Sequence, residues 1–82
     1  MLKRKNKMAR QYEGYPSWNS WNVSLWINND YDLYSLAYNM VQAYGMKSAI
    51  ELLTANWTGK RTPDGGVFTK RAISLALEGM DE

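Results

Sequence analysis

The sequence predicts an all-α protein: a compact bundle of about four short helices behind a disordered basic N-terminal arm. Three observations carry that expectation. Leu33, Leu36, Ala37, Met40, Val41 and Tyr44 recur at the i, i+3, i+4, i+7, i+8 spacing of an amphipathic helix. Capping or breaking chemistry stands at helix-length intervals, in Asn28-Asn29-Asp30, at Gly45, across residues 58–66 and at Gly79. The connections this leaves are short, which favours helices packed against their chain neighbours.

Residues 1–12 show no periodic pattern, and Lys3, Arg4, Lys5, Lys7 and Arg10 place five of the ten basic residues there. They are expected to be a flexible arm, with a single helical domain over 13–82. Gly14 and Pro16 mark an extended entry. Ser17 or Ser20 then caps a first helix. Its apolar residues fall on two faces, Trp18, Trp21 and Leu25 on one and Val23, Trp26 and Ile27 on the next. Helix-spaced aromatics generally build core, so Trp21, Leu25 and Trp26 are expected inside, with Asn22 and Asn29 satisfying backbone groups at helix ends. The Asn28-Asn29-Asp30 triplet ends this helix and starts the next over 31–44, where Asp30 and Asp32 complement the helix dipole. Gly45 suits a left-handed cap. A third helix follows from Met46 or Lys47 to Trp57, with Met46, Ala49, Ile50, Leu53 and Trp57 inward, although Ser48 and Glu51 have capping-box spacing that would start it a turn later. Residues 58–66 carry three glycines and a proline and read as the main exposed loop. The last helix runs from Phe68 or Thr69 to about Glu78, with Phe68, Ala72, Leu75 and Ala76 inward, Ile73 and Leu77 flanking, and Gly79 ending it.

Composition narrows the chemistry. The chain has no Cys and no His, so thiolate metal sites, disulfides and the usual general base are missing. Capping accounts for one of Asp30 and Asp32 and dipole complementarity for the other, and Thr62-Pro-Asp-Gly-Gly lacks the Gly-Lys-Ser/Thr order of a phosphate-binding loop. The expectation is a non-enzymatic protein with no cofactor and no metal. No apolar run approaches the ~20 residues of a membrane span, and the basic start leads into Met8-Ala-Arg-Gln-Tyr-Glu instead of an apolar stretch, which suggests a cytoplasmic protein with no membrane partner.

Trp21-Asn22-Val23-x-Leu25-Trp26-Ile27-x-Asn29-Asp30, followed by Leu33-Tyr34, resembles a signature of small tailed-phage proteins of unknown function, in which a Thr-Trp-Asn-Val-Ala-Leu-Trp-Ile-type helix runs into Asn-Asp-Glu-Gly-Leu-Tyr. The likeness covers residues 15–45, roughly a third of the chain. Ser20 stands for the usual Thr and keeps a cap, and Tyr31-Asp32 stands for Glu-Gly and adds an aromatic. That family carries no established catalytic residue to transfer. The resemblance implies a phage accessory protein acting in the cytoplasm of the infected bacterial host, in a class whose small members often bind and inhibit or redirect a host protein or ribonucleoprotein complex, defence systems such as CRISPR effectors included.

Two binding surfaces are nominated from the residues. Nine of the eleven aromatics lie between Tyr12 and Tyr44, more than a domain of this size can hide, since it buries only about 60–65% of the surface its unfolded chain exposes. Tyr31, Tyr34 and Tyr38 form an i, i+3, i+7 stripe offset from the helix's apolar stripe, and tyrosine is favoured at protein interfaces. Lys60, Arg61 and Asp64 in the loop would supply charge to the same partner. The alternative surface is nucleic-acid-binding: Lys3, Arg4, Lys5, Lys7 and Arg10 with Lys60-Arg61 and Lys70-Arg71 against phosphates, and Tyr12 and Tyr15 stacking on bases. The remaining seventy residues or so are net acidic, which disfavours this reading. Surplus apolar surface also admits a homodimer.

Overall fold

A computed structural model describes residues 14–80; the arm and its basic residues lie outside them. Four α-helices are described, α1 Trp18–Asn29, α2 Tyr31–Tyr44, α3 Met46–Trp57 and α4 Lys70–Met80, and no strand beyond an isolated antiparallel bridge between Arg61 and Val67.

The helix ends follow from local chemistry. Ser17 caps α1, its Oγ accepting from the Ser20 N–H at 3.1 Å. Asp30 serves two helices at once: its N–H donates to the Trp26 carbonyl at 2.9 Å, closing α1, and its carboxylate accepts from the Leu33 N–H at 3.1 Å, opening α2. Gly45, with φ of 87°, is the whole junction between α2 and α3, a conformation that side chains with a Cβ resist. So α3 begins at Met46 and the Ser48–Glu51 capping box is not used. Thr69 caps α4, its Oγ1 accepting from the Ala72 N–H at 3.1 Å. That helix starts at Lys70 and runs through Gly79 to Met80, where the sequence predicted a stop.

Val23, Ile27, Ala37, Ala49, Leu53, Trp57, Phe68, Ala72, Ile73, Ala76 and Leu77 form the core. The fully buried Val23, Ile27, Leu53, Ile73 and Leu77 side chains each contribute about 1.5–3 kcal/mol. The inward stripe expected for α3 holds, with Ala49, Leu53 and Trp57 buried and Met46 and Ile50 packed against them. In α4 the expected flanking pair, Ile73 and Leu77, is at the centre, and Leu75 is half-buried. In α2 only Ala37 is fully buried, Leu33, Met40 and Val41 pack at the core edge, and Leu36 and Tyr44 face solvent.

The largest correction concerns α1. Trp21, Leu25 and Trp26 are not core: Leu25 and Trp18 are each 39% exposed, and Trp21 and Trp26 are half-buried. The inner face is Ser20, Val23, Ser24 and Ile27. It packs most extensively against α4, whose Ala72 and Ala76 are equally small, so two helices with little side chain between them can approach closely. Large indole rings at Trp21 would hold them apart. Ser24 keeps its polarity satisfied inside, sharing a 2.7 Å hydrogen bond with the Tyr15 hydroxyl and accepting from Asn28 Nδ2.

Candidate functional site

Residues 60–68, expected as the main exposed loop, form a small hairpin. Thr62 N–H donates to the Gly66 carbonyl at 2.7 Å and Phe68 N–H to the Lys60 carbonyl at 3.1 Å, while Gly65 N–H closes the turn onto the Thr62 carbonyl at 2.9 Å. Pro63 at the second turn position and Gly65, with φ of 100°, supply the required backbone.

A polar stripe on α1 grips this hairpin. Asn19, Asn22 and Trp26 lie at i, i+3 and i+7, hence on one side of the helix. The Asn19 amide pairs with the Val67 backbone in both directions, donating to its carbonyl at 2.9 Å and accepting from its N–H at 2.7 Å. Asn22, fully buried, accepts from the Thr62 hydroxyl at 2.6 Å and donates to Asp64 Oδ2 at 3.0 Å. The Trp26 indole N–H reaches the same Asp64 oxygen at 2.9 Å, and Thr62 Oγ1 accepts in turn from the Gly66 N–H at 2.9 Å. The indole and then the Asn22 amide hold the Asp64 carboxyl below the usual carboxylate range, because both stabilise its charged form. Asn22 therefore serves a distant loop and not a helix end, whereas Asn29 does cap backbone as expected, donating to the Leu25 carbonyl at 2.8 Å.

Two surfaces remain open. The first is the tyrosine stripe of α2: Tyr31, Tyr34 and Tyr38 are 81%, 38% and 43% exposed. The Tyr34 and Tyr38 rings stack, with centroids 5.9 Å apart and planes 15° from parallel, a contact that favours this pair of rotamers. The second is a groove of about 400 Å³ between the α1–α2 corner and the hairpin. Trp26, Leu33, Trp57 and Phe68 line it, Asp30 and Asp32 stand on the helical side, and Lys60 and Arg61 on the hairpin side. Trp57 and Phe68 meet at 5.4 Å.

The nominated residues are thus split. Tyr31, Tyr34 and Tyr38 share one exposed stripe, Lys60 and Arg61 line the groove, and Asp64 is turned back onto α1. Arg61 also bonds the Gly65 carbonyl at 3.2 Å, and Lys70 pairs with Glu51 at 3.2 Å on the surface. Lys3, Arg4, Lys5, Lys7 and Arg10 lie outside the described residues. The reading of the sequence missed the Asn19, Asn22 and Trp26 grip. Its signal was three hydrogen-bonding side chains at helical spacing inside an otherwise aromatic segment, each needing a partner.

Among the described residues no group of three or more His, Cys, Asp or Glu side chains is placed to hold a metal ion, and no helix is long and apolar enough to cross a membrane. Fold and surface define a small all-α domain with a clasped hairpin and an exposed aromatic face. The chain belongs to a family of unknown function (DUF7249), whose model matches residues 8–82. No curated protein and no solved structure matches it.

Proposed function

We propose that this chain is a non-enzymatic binding protein that docks a host protein or ribonucleoprotein complex through the tyrosine face of α2 and thereby inhibits or redirects it. One observation supports this reading above the rest: Tyr31, Tyr34 and Tyr38 stay exposed although the core closes without them. Large rings with two side-chain torsions lose little entropy on binding, and the Tyr34–Tyr38 stack favours one arrangement of the two rings in advance. The likeness of residues 21–34 to small tailed-phage proteins supports a phage origin and a target in the infected cell, a defence effector of the CRISPR type being the kind of complex such proteins engage.

The test is recovery of a defined complex from infected or host cells by the tagged chain, compared with Tyr34→Ala and Tyr38→Ala. Both variants are expected to lose the captured complex while keeping a melting temperature within about 5 °C of the parent, as surface substitutions do. Capture unchanged in the double variant, or lost only in step with unfolding, overturns the proposal.

A further inference from the structure

We infer that two copies of this chain pair through the groove, Tyr31 of each copy entering the groove of the other. This goes beyond the docking of a host complex: it assigns the Tyr31 end of the tyrosine face to a second copy and leaves Tyr34 and Tyr38 to the host complex. Tyr31 is the most exposed large apolar side chain described, and it projects from the first turn of α2 with a carboxylate on either side, Asp30 and Asp32. The groove beside it offers an apolar floor of Trp26, Leu33, Trp57 and Phe68 and has room for a phenol ring. Knob and hole therefore stand next to each other on one molecule, and Tyr31, 81% exposed, does not line its own groove.

Charge selects the occupant. Asp32 and Lys60 make no side-chain hydrogen bond or ion pair with any described residue, the described salt bridge being that of Lys70 with Glu51. Cations line one side of the groove and carboxylates the other, without pairing across it. When the ring of Tyr31 enters a second copy's groove, its flanking Asp30 and Asp32 come against that copy's Lys60 and Arg61. A twofold axis then repeats the contact, so one geometry satisfies both grooves and both charge pairs, as an isologous interface requires. An aromatic anchor in an apolar pocket with charges at the rim is the arrangement that concentrates binding energy at the centre and leaves register to the rim.

Sedimentation equilibrium of the full chain, from micromolar to millimolar concentration, tests this. The parent is expected to reach the mass of a dimer and to dissociate as ionic strength rises. Tyr31→Ala is expected to abolish the pairing, and Asp32→Lys and Lys60→Glu each to weaken it about tenfold or more. Both charged side chains are exposed, so circular dichroism should match the parent and Lys60→Glu should keep its melting temperature, whereas Asp32→Lys, which puts a cation in the first turn of α2, should melt a few degrees lower while staying folded. An equimolar mixture of the two charge variants should regain the dimer, because the introduced charges oppose in one contact and the native pair survives in the other. A parent chain that stays monomeric throughout overturns the inference. So does a dimer indifferent to both reversals, or a mixture that does not recover. Loss of host-complex capture on Tyr34→Ala or Tyr38→Ala leaves the dimer mass unchanged, so the two readings fail separately.

Discussion

Substituting Gly66 by Ala is expected to be the most damaging single-methyl change in the hairpin, and the structure gives both the reason and the size. A Cβ at Gly66 would lie 2.6 Å from Asn22 Oδ1, 3.3 Å from Thr62 Oγ1 and 3.4 Å from Asn22 Cβ, the first well inside van der Waals contact. Asn22 has nowhere to retreat: its backbone is within α1, and its amide is held between Thr62 and Asp64. Either the methyl is forced in, at about 1–3 kcal/mol for overpacking, or the hairpin lifts and the buried Asn22–Thr62 bond breaks, at about 1–3 kcal/mol for polar groups left unsatisfied. Either way the cost of about 1–3 kcal/mol lowers the melting temperature of a domain this size by roughly 5–25 °C. Thermal unfolding followed by circular dichroism, with tryptophan fluorescence for the hairpin, measures it. The control is the double variant. Once Asn22→Ala has removed the opposing oxygen, adding Gly66→Ala should cost well under about 1 kcal/mol, so that most of the single-variant cost appears as coupling between the two sites. A Gly66→Ala chain melting within a few degrees of the parent, or one that costs as much in the Asn22→Ala background, refutes the clasp.

Three further outcomes follow from the same geometry. Ile27→Ala should cost about 2–5 kcal/mol in urea denaturation and Leu25→Ala less than about 1 kcal/mol; the opposite order would restore the inward face first read for α1. Asn19→Ala strands the Val67 N–H and carbonyl and should cost about 1–2 kcal/mol, with faster amide exchange at Val67 while α4 keeps its protection. The carboxyl of Asp64 titrates lower in the folded chain than in the unfolded one, so its contribution is complete above the usual aspartate pKa of about 4 and is lost as pH falls through the lowered folded value. Urea midpoints between neutral and acid pH should fall less steeply for Asp64→Asn than for the parent, and parallel curves would show that the carboxylate does not support the hairpin.

Local signals located the helices well. The apolar spacing of residues 33–44, the acidic cap and Gly45 each acted within one turn of the boundary they set, and α2 and α3 lie where those signals placed them. The inner face of α1 was illegible for a physical reason. Its apolar residues encircle the helix, so periodicity selects no side, and the face that packs carries the small residues Ser20 and Ser24 because α4 comes close there. The grip on the hairpin was equally hidden, since Asn22 and its partners Thr62 and Asp64 are 40 and 42 positions apart. Gly66 looked like turn chemistry beside Gly65, yet only Gly65 has a left-handed backbone; Gly66 is small because Asn22 lies against it. The tyrosine stripe was readable, since an i, i+3, i+7 set offset from the core stripe must reach the surface.

The clasp also decides which substitutions can report on binding. The segment Trp21–Asp30 includes Asn22 and Trp26, and both are engaged in holding the hairpin; their presence is accounted for by folding without any ligand. Trp26 in addition lines the groove, so a change that loosens its bond to Asp64 also alters the groove wall. Asp64, although exposed, is consequently a poor probe of partner contact, because its loss would disturb hairpin, groove and the setting of Lys60 and Arg61 together. Tyr34 and Tyr38 have no such double duty. Their rings stack on each other at the surface, among the described residues no buried group depends on their hydroxyls for a hydrogen bond, and a loss of binding on their removal can be assigned to the surface itself.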